Sequence, residues 1–115
     1  MLTPFERGVV AHLVADWLLQ NDWMARNKRN LRHPAAWIHA AIHAALLTLA
    51  LGWQAGLVLA GLHLILDTRL PLRWWQRVFG QTSEGPAAMA TAMWADQVIH
   101  IAAIAAWVAI VPMLR

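Results

Sequence analysis

Four pairs of residues that can bind a metal ion or carry protons recur along this chain, each at a spacing of four. His12 and Asp16 lie in GVVAHLVADWLLQ, with Gln20 a further four on; His39 and His43 lie in WIHAAIH, His63 and Asp67 in HLILD, and Asp96 and His100 in DQVIH. On a helix, residues i and i+4 stack along one face, so each pair presents two donors in one direction. Imidazole nitrogen with carboxylate oxygen suits Zn²⁺, and also Mn²⁺ or Fe²⁺. A catalytic zinc keeps three protein ligands and one open position for water, whose pKa it lowers toward 7. The eight donors suffice for two ions, or for one ion with an outer layer of supporting groups. Within that set Asp16 and Asp96 are also candidates for catalytic roles, and Gln20 and Gln97 are placed to orient a ligand, a water or a substrate oxygen.

The segments that hold these groups are too apolar for a soluble domain. Hydrophobic residues make up 60% of the 115 residues and charged residues 13%, far from the soluble balance. Eight Trp accompany no Tyr, and several lie near segment ends, where amphipathic rings favour the membrane interface. The absence of Cys excludes disulfides, thiolate sites and Cys nucleophiles. A net charge of +3 does not make this a nucleic-acid binder, because the basic residues flank apolar segments. Ser83, the one serine, is expected in a loop, which argues against serine hydrolysis. The N-terminus lacks the basic lead-in of a signal peptide.

The pattern predicts an all-α integral membrane four-helix bundle in a single domain, with helices at about 4–24, 34–51, 54–68 and 87–111. Thr3 and Pro4 open the first as N-cap and first helical residue. ARNKRNLRH is a basic loop in which His33 is a surface or capping residue before Pro34, and Trp53-Gln54-Ala55-Gly56 is an uncharged turn. The third helix is short for a full span. LRWWQRVF, about 72–79, sets Arg73, Gln76 and Arg77 on one face and Trp74, Trp75, Val78 and Phe79 on the other, the pattern of a short helix in the interface plane.

Arg26, Lys28, Arg29, Arg32, Arg69, Arg73 and Arg77 fall in the first and third connections, and the opposite ends carry only Arg7 and Arg115. The positive-inside rule then sets a multi-pass protein of the inner membrane with both termini outside the cytoplasm. Counted at a rise of about 1.5 Å per residue, the pairs mostly overlap in the cytoplasmic half of the bilayer. His39 comes out one turn nearer the surface than His43, which ranks His43 ahead as a ligand. An isolated Asp at a helix centre costs about 2.5–3.5 kcal/mol, so three aspartates in one layer demand partners.

The segments HLVADWLLQNDWMA, HAAIHAALL, HLILD and DQVIH resemble a family of small bacterial membrane proteins, the domain of unknown function 3307. The resemblance runs from His12 to His100 and is carried by H-x-x-x-D-[WF]-x-x-Q at His12 to Gln20 and D-Q-x-x-H at Asp96 to His100. It implies no settled activity. A looser similarity of pattern links such chains to multi-span membrane proteins described as metal-dependent hydrolases.

The sharpest expectation is therefore a metal-dependent hydrolase acting on a membrane lipid or a membrane-anchored ester. Three other classes compete: a haem bundle ligated by His43 and His100, a proton or ion conduit, and a non-enzymatic module whose polar pairs specify helix packing. Alanine-rich faces also permit a homo-oligomer.

Overall fold

The computed structural model describes residues 1–81 and 84–114; Ser83 and Arg115 lie outside the described residues. All the regular structure it describes is helical. Helix α1, Pro4–Leu13, starts on a capping box: the Glu6 amide donates to Thr3 Oγ1 at 3.2 Å and the Thr3 amide to Glu6 Oε2 at 2.8 Å. Such reciprocal bonds satisfy two of the amide groups that every helix start leaves unpaired.

The first helix does not run on to Trp23 as the apolar pattern predicts. Val14–Leu18 widens into a π-helix, in which the Leu19 amide donates to the Val14 carbonyl at 3.0 Å. The chain then breaks, and Asn21 caps a separate short helix α2, Asp22–Asn27, by accepting from the Met24 amide at 2.9 Å. Asn-Asp is a helix-start signal that the hydrophobic run conceals.

Helix α3, Pro34–Leu51, is capped by His33, whose Nδ1 accepts from the Ala35 amide at 3.1 Å. The expected turn at 53–56 is not there: α4, Trp53–Asp67, begins one residue after α3 ends. Gly52 makes the reversal alone at φ +99, a conformation that side chains resist. The two helices then touch closely at Gly56, where an added Cβ would collide with Thr48 Oγ1 and stand 2.8 Å from the Ala44 carbonyl oxygen.

Arg69, in the left-handed conformation at φ 61, bends the chain by 61° from α4 into α5, Leu70–Phe79. Leu72 and Gln76 of α5 face the bundle, while Trp74, Trp75, Val78 and Phe79 are exposed. The last helix, α6, Pro86–Ile110, ends in a 3₁₀ turn at Val111–Leu114.

Two helices are long and apolar enough to cross a membrane, Pro34–Leu51 and the continuous Pro86–Leu114; a third span arises if the bent α4–α5 pair counts as one. Helix α1 with its π extension falls short of that length, yet it runs beside α3, its Arg7 Nε donating to the Ala50 carbonyl at 3.0 Å. Large apolar side chains cover the outside, Leu49 (83% exposed) and Trp94 (66%) among them, as expected of a surface that meets lipid rather than water. Inside, Ala11, Leu47, Ala55, Leu59 and Ile104 form an apolar cluster. On α3, α4 and α6 this layer lies one turn from the histidines, toward the Gly52 end.

Candidate metal centre

Eight polar side chains are buried together beneath that layer: His12, Asp16, His39, His43, His63, Asp67, Asp96 and His100, none more than 4% exposed. The i, i+4 spacing turns each pair inward because the opposite faces of these helices are apolar. The π-helix supplies Asp16. A π turn rotates the residues after it relative to α geometry, and such turns recur at functional sites.

Two carboxylates organise the cluster. Asp16 Oδ1 lies 3.0 Å from both His39 Nε2 and His43 Nε2. Its Oδ2 accepts from Gln97 Nε2 at 3.2 Å and stands 3.4 Å from His12 Nε2. Asp67 Oδ2 lies 2.8 Å from His63 Nε2 and 3.4 Å from His39 Nε2, and Oδ1 is 3.4 Å from His100 Nε2. His39, placed nearer the surface by axial counting, is as buried as His43 and is the histidine that touches both carboxylates. Axial counting assumes unbroken helices, and the first segment is broken after Leu18.

Several of these short distances are not hydrogen bonds. Both nitrogens of His39 and of His63, Nε2 of His100, Oδ1 of Asp67 and Oδ1 of Asp96 are buried without a hydrogen-bond partner among the described residues. Orphaned groups of this kind cost about 1–3 kcal/mol each. A cation relieves that cost. Donor atoms from Asp16, His39, His43 and His63 lie within 4.8 Å of one another, as do those from His63, Asp67 and His100. Ligands about 2.0–2.1 Å from a tetrahedral ion stand about 3.3 Å from each other, and the close His–Asp pairs within these sets are 2.8 to 3.4 Å apart. The residues present fit a divalent ion, and the two sets meet at His63.

The other sequence candidates surround this centre. His100 Nδ1 donates to the Asp96 carbonyl at 2.6 Å, which leaves the lone pair on Nε2, the atom facing Asp67. Gln97 joins His12 to Asp16, with Oε1 3.1 Å from His12 Nε2. His12 and Asp96 therefore border the ligand sets without joining them. Gln20 is farther out, its Oε1 unpartnered at the wall of a cavity of about 90 Å³ that Asp16, Asp96, Gln97, Lys28 and Arg69 also line. Lys28 and Arg69 are missed by sequence reasoning, which assigns them to topology; the proximity of Arg69 to Asp67 in the chain is the one available signal.

The cluster is closed at its other end. His12, His43, His63 and His100 abut Leu47, Leu59 and Ile104 around a void of only about 10 Å³. The imidazoles also fill the space between His43 and His100, because His63 stacks on His43 at 3.6 Å and meets His100 at 4.5 Å. No slot for a haem macrocycle is left there.

Fold and site together define a class: a small helical protein with an apolar exterior and a buried His/Asp centre able to hold a metal. The chain belongs to the family described as protein of unknown function, DUF3307, which it matches over residues 8–114. No curated protein and no solved structure matches it significantly.

Proposed function

We propose that this protein is a membrane-embedded, metal-dependent hydrolase acting on a lipid or a membrane-anchored ester. The observation that carries the proposal is the pairing of orphaned ligand atoms with a polar cavity beside them. Asp16, His39, His43 and His63 would form one ligand set and His63, Asp67 and His100 another, suited to Zn²⁺ by donor type, with Mn²⁺ and Fe²⁺ served by the same donors. A divalent ion held there would supply Lewis acidity toward an ester or phosphoryl oxygen and would lower the pKa of water. Asp96, which lines the cavity and whose Oδ1 makes no hydrogen bond among the described residues, would accept the proton of the attacking water. Gln97 keeps His12 and Asp16 in register, and Gln20 offers a free carbonyl oxygen to a substrate donor. The distribution of Lys and Arg supports an orientation with the cavity in the cytoplasmic half of the inner membrane and both termini outside.

The test is elemental analysis of detergent-purified protein, wild type beside Asp16→Ala and His100→Ala, with helicity followed by circular dichroism. The expected result is about one or two equivalents of a divalent metal in the wild type, lost in both variants, and metal-dependent cleavage of phosphoester or ester lipids. A well-folded wild type that takes up no metal when it is supplied overturns the proposal, and the cluster is then a device for helix pairing.

A further inference from the structure

Next to the polar cavity lies a larger one, of about 380 Å³, lined by Arg29, Arg69, Arg73 and Arg77 together with Gln76 and Gln81. Four guanidiniums converge there from the α2–α3 loop, the α4–α5 bend and α5. The seven close ion pairs at the buried centre join histidines to aspartates. Partial burial and the like charges of Arg69 and Arg73 lower the pKa of Arg29. A purely topogenic set of arginines needs only to lie near the membrane surface and gains nothing by crowding. Four guanidiniums around one cavity form an arrangement that receives a phosphate, which takes forked N–H donors from several sides.

Two features continue from this cavity. Arg69 also lines the small cavity at Asp16, Asp96 and Gln97, so it stands between the guanidiniums and the metal centre. Leu72 and Gln81 are shared with a third space, an apolar groove of about 770 Å³ between α5 and α6. Trp75, Trp94, Val98 and Ile99 line that groove, with small residues such as Ala95 and Ala102 along α6. Charge at one end and a continuous apolar trough at the other match one occupant, an amphiphile with a phosphate head.

We propose that the arginine cavity and the adjoining α5–α6 groove form a binding site for an anionic phospholipid, with the phosphate among Arg29, Arg69, Arg73 and Arg77 and an acyl chain along Trp75 and Trp94. For turnover this rests on the metal centre proposed above, whose substrate class it names; binding is a property of the arginines and the groove alone.

The experiment is quenching of Trp fluorescence in detergent micelles by phosphatidic acid brominated on its acyl chain. Phosphatidylcholine with the same brominated chain is the neutral-headed control, and glycerol 3-phosphate is the soluble competitor. The expected result is saturable quenching by phosphatidic acid at mole fractions about tenfold below those needed for phosphatidylcholine. That preference is lost in Arg69→Gly and in Arg73→Gln/Arg77→Gln, and the quenching itself falls in Trp75→Phe/Trp94→Phe. Chelator-treated protein and Asp16→Ala keep the preference, so loss of the hydrolase reading leaves this one standing. Equal quenching by both lipids overturns the proposal. So does displacement of phosphatidic acid by equimolar glycerol 3-phosphate, which would mean that the groove contributes nothing.

Discussion

Arg69 carries more of this structure than its place in a connecting loop implies. It is the one residue other than glycine with a positive φ among the described residues, at the position after a helix end where Gly is the usual occupant. Its amide donates to the Leu66 carbonyl at 3.0 Å, closing the end of α4. A side chain in this conformation costs about 1–2 kcal/mol, and strain of that kind clusters at functional sites. Arg69→Gly should therefore raise stability by about 0.5–1 kcal/mol, the relieved strain exceeding the entropy lost to glycine, while it removes the guanidinium. Thermal unfolding of the variant in detergent checks this, and a lower midpoint than wild type contradicts it. The eight buried His and Asp side chains are legible in the sequence because the i, i+4 repeat and the cost of burying polar groups both announce them. Arg69 is not legible, since nothing local distinguishes a strained arginine from one that follows the positive-inside rule.

Among the elements, the α3–α4 hairpin sets the spacing of the centre. It brings His39 and His43 of α3 against His63 and Asp67 of α4, and Gly56 lies seven residues before His63 on the same face. An extra methyl there meets Thr48 and the Ala44 carbonyl oxygen rather than open space. Gly56→Ala should cost about 1–3 kcal/mol and lower metal content, because the helices must separate above the ligands. Chemical denaturation and elemental analysis of the variant decide it; wild-type values in both would show that the contact relaxes freely. The extent of α3 and of α6 is readable from hydropathy, since each is a long apolar run bounded by Pro or Gly. The first segment is not. Hydropathy averages over Val14 to Trp23, whereas the π turn and the Asn21 cap are backbone and side-chain hydrogen bonds within it. The turn expected at 53–56 fails for a related reason: one glycine at φ +99 suffices for the reversal.

For the molecule as a whole, three buried aspartates and five buried histidines are gathered beneath a small apolar cluster. The buried apolar set is rich in Ala, which contributes little transfer energy per residue. An ion bound to the folded state alone stabilises it by about 2.7 kcal/mol at a free concentration one hundred times Kd. Removal of metal with a chelator should lower the thermal midpoint in detergent, and added Zn²⁺ or Mn²⁺ should restore it. An unchanged midpoint, with metal shown by analysis to have left, would mean that the cluster holds itself together.

The apolar layer of Leu47, Leu59 and Ile104 has a consequence for traffic. It seals the histidines from the Gly52 end, so the polar cavity beside Arg69 and Lys28 is the mouth of a cul-de-sac. A molecule that enters there must leave by the same door, on the same side of the membrane. If the centre turns over substrate as proposed, arrival of the next molecule waits on departure of the last product.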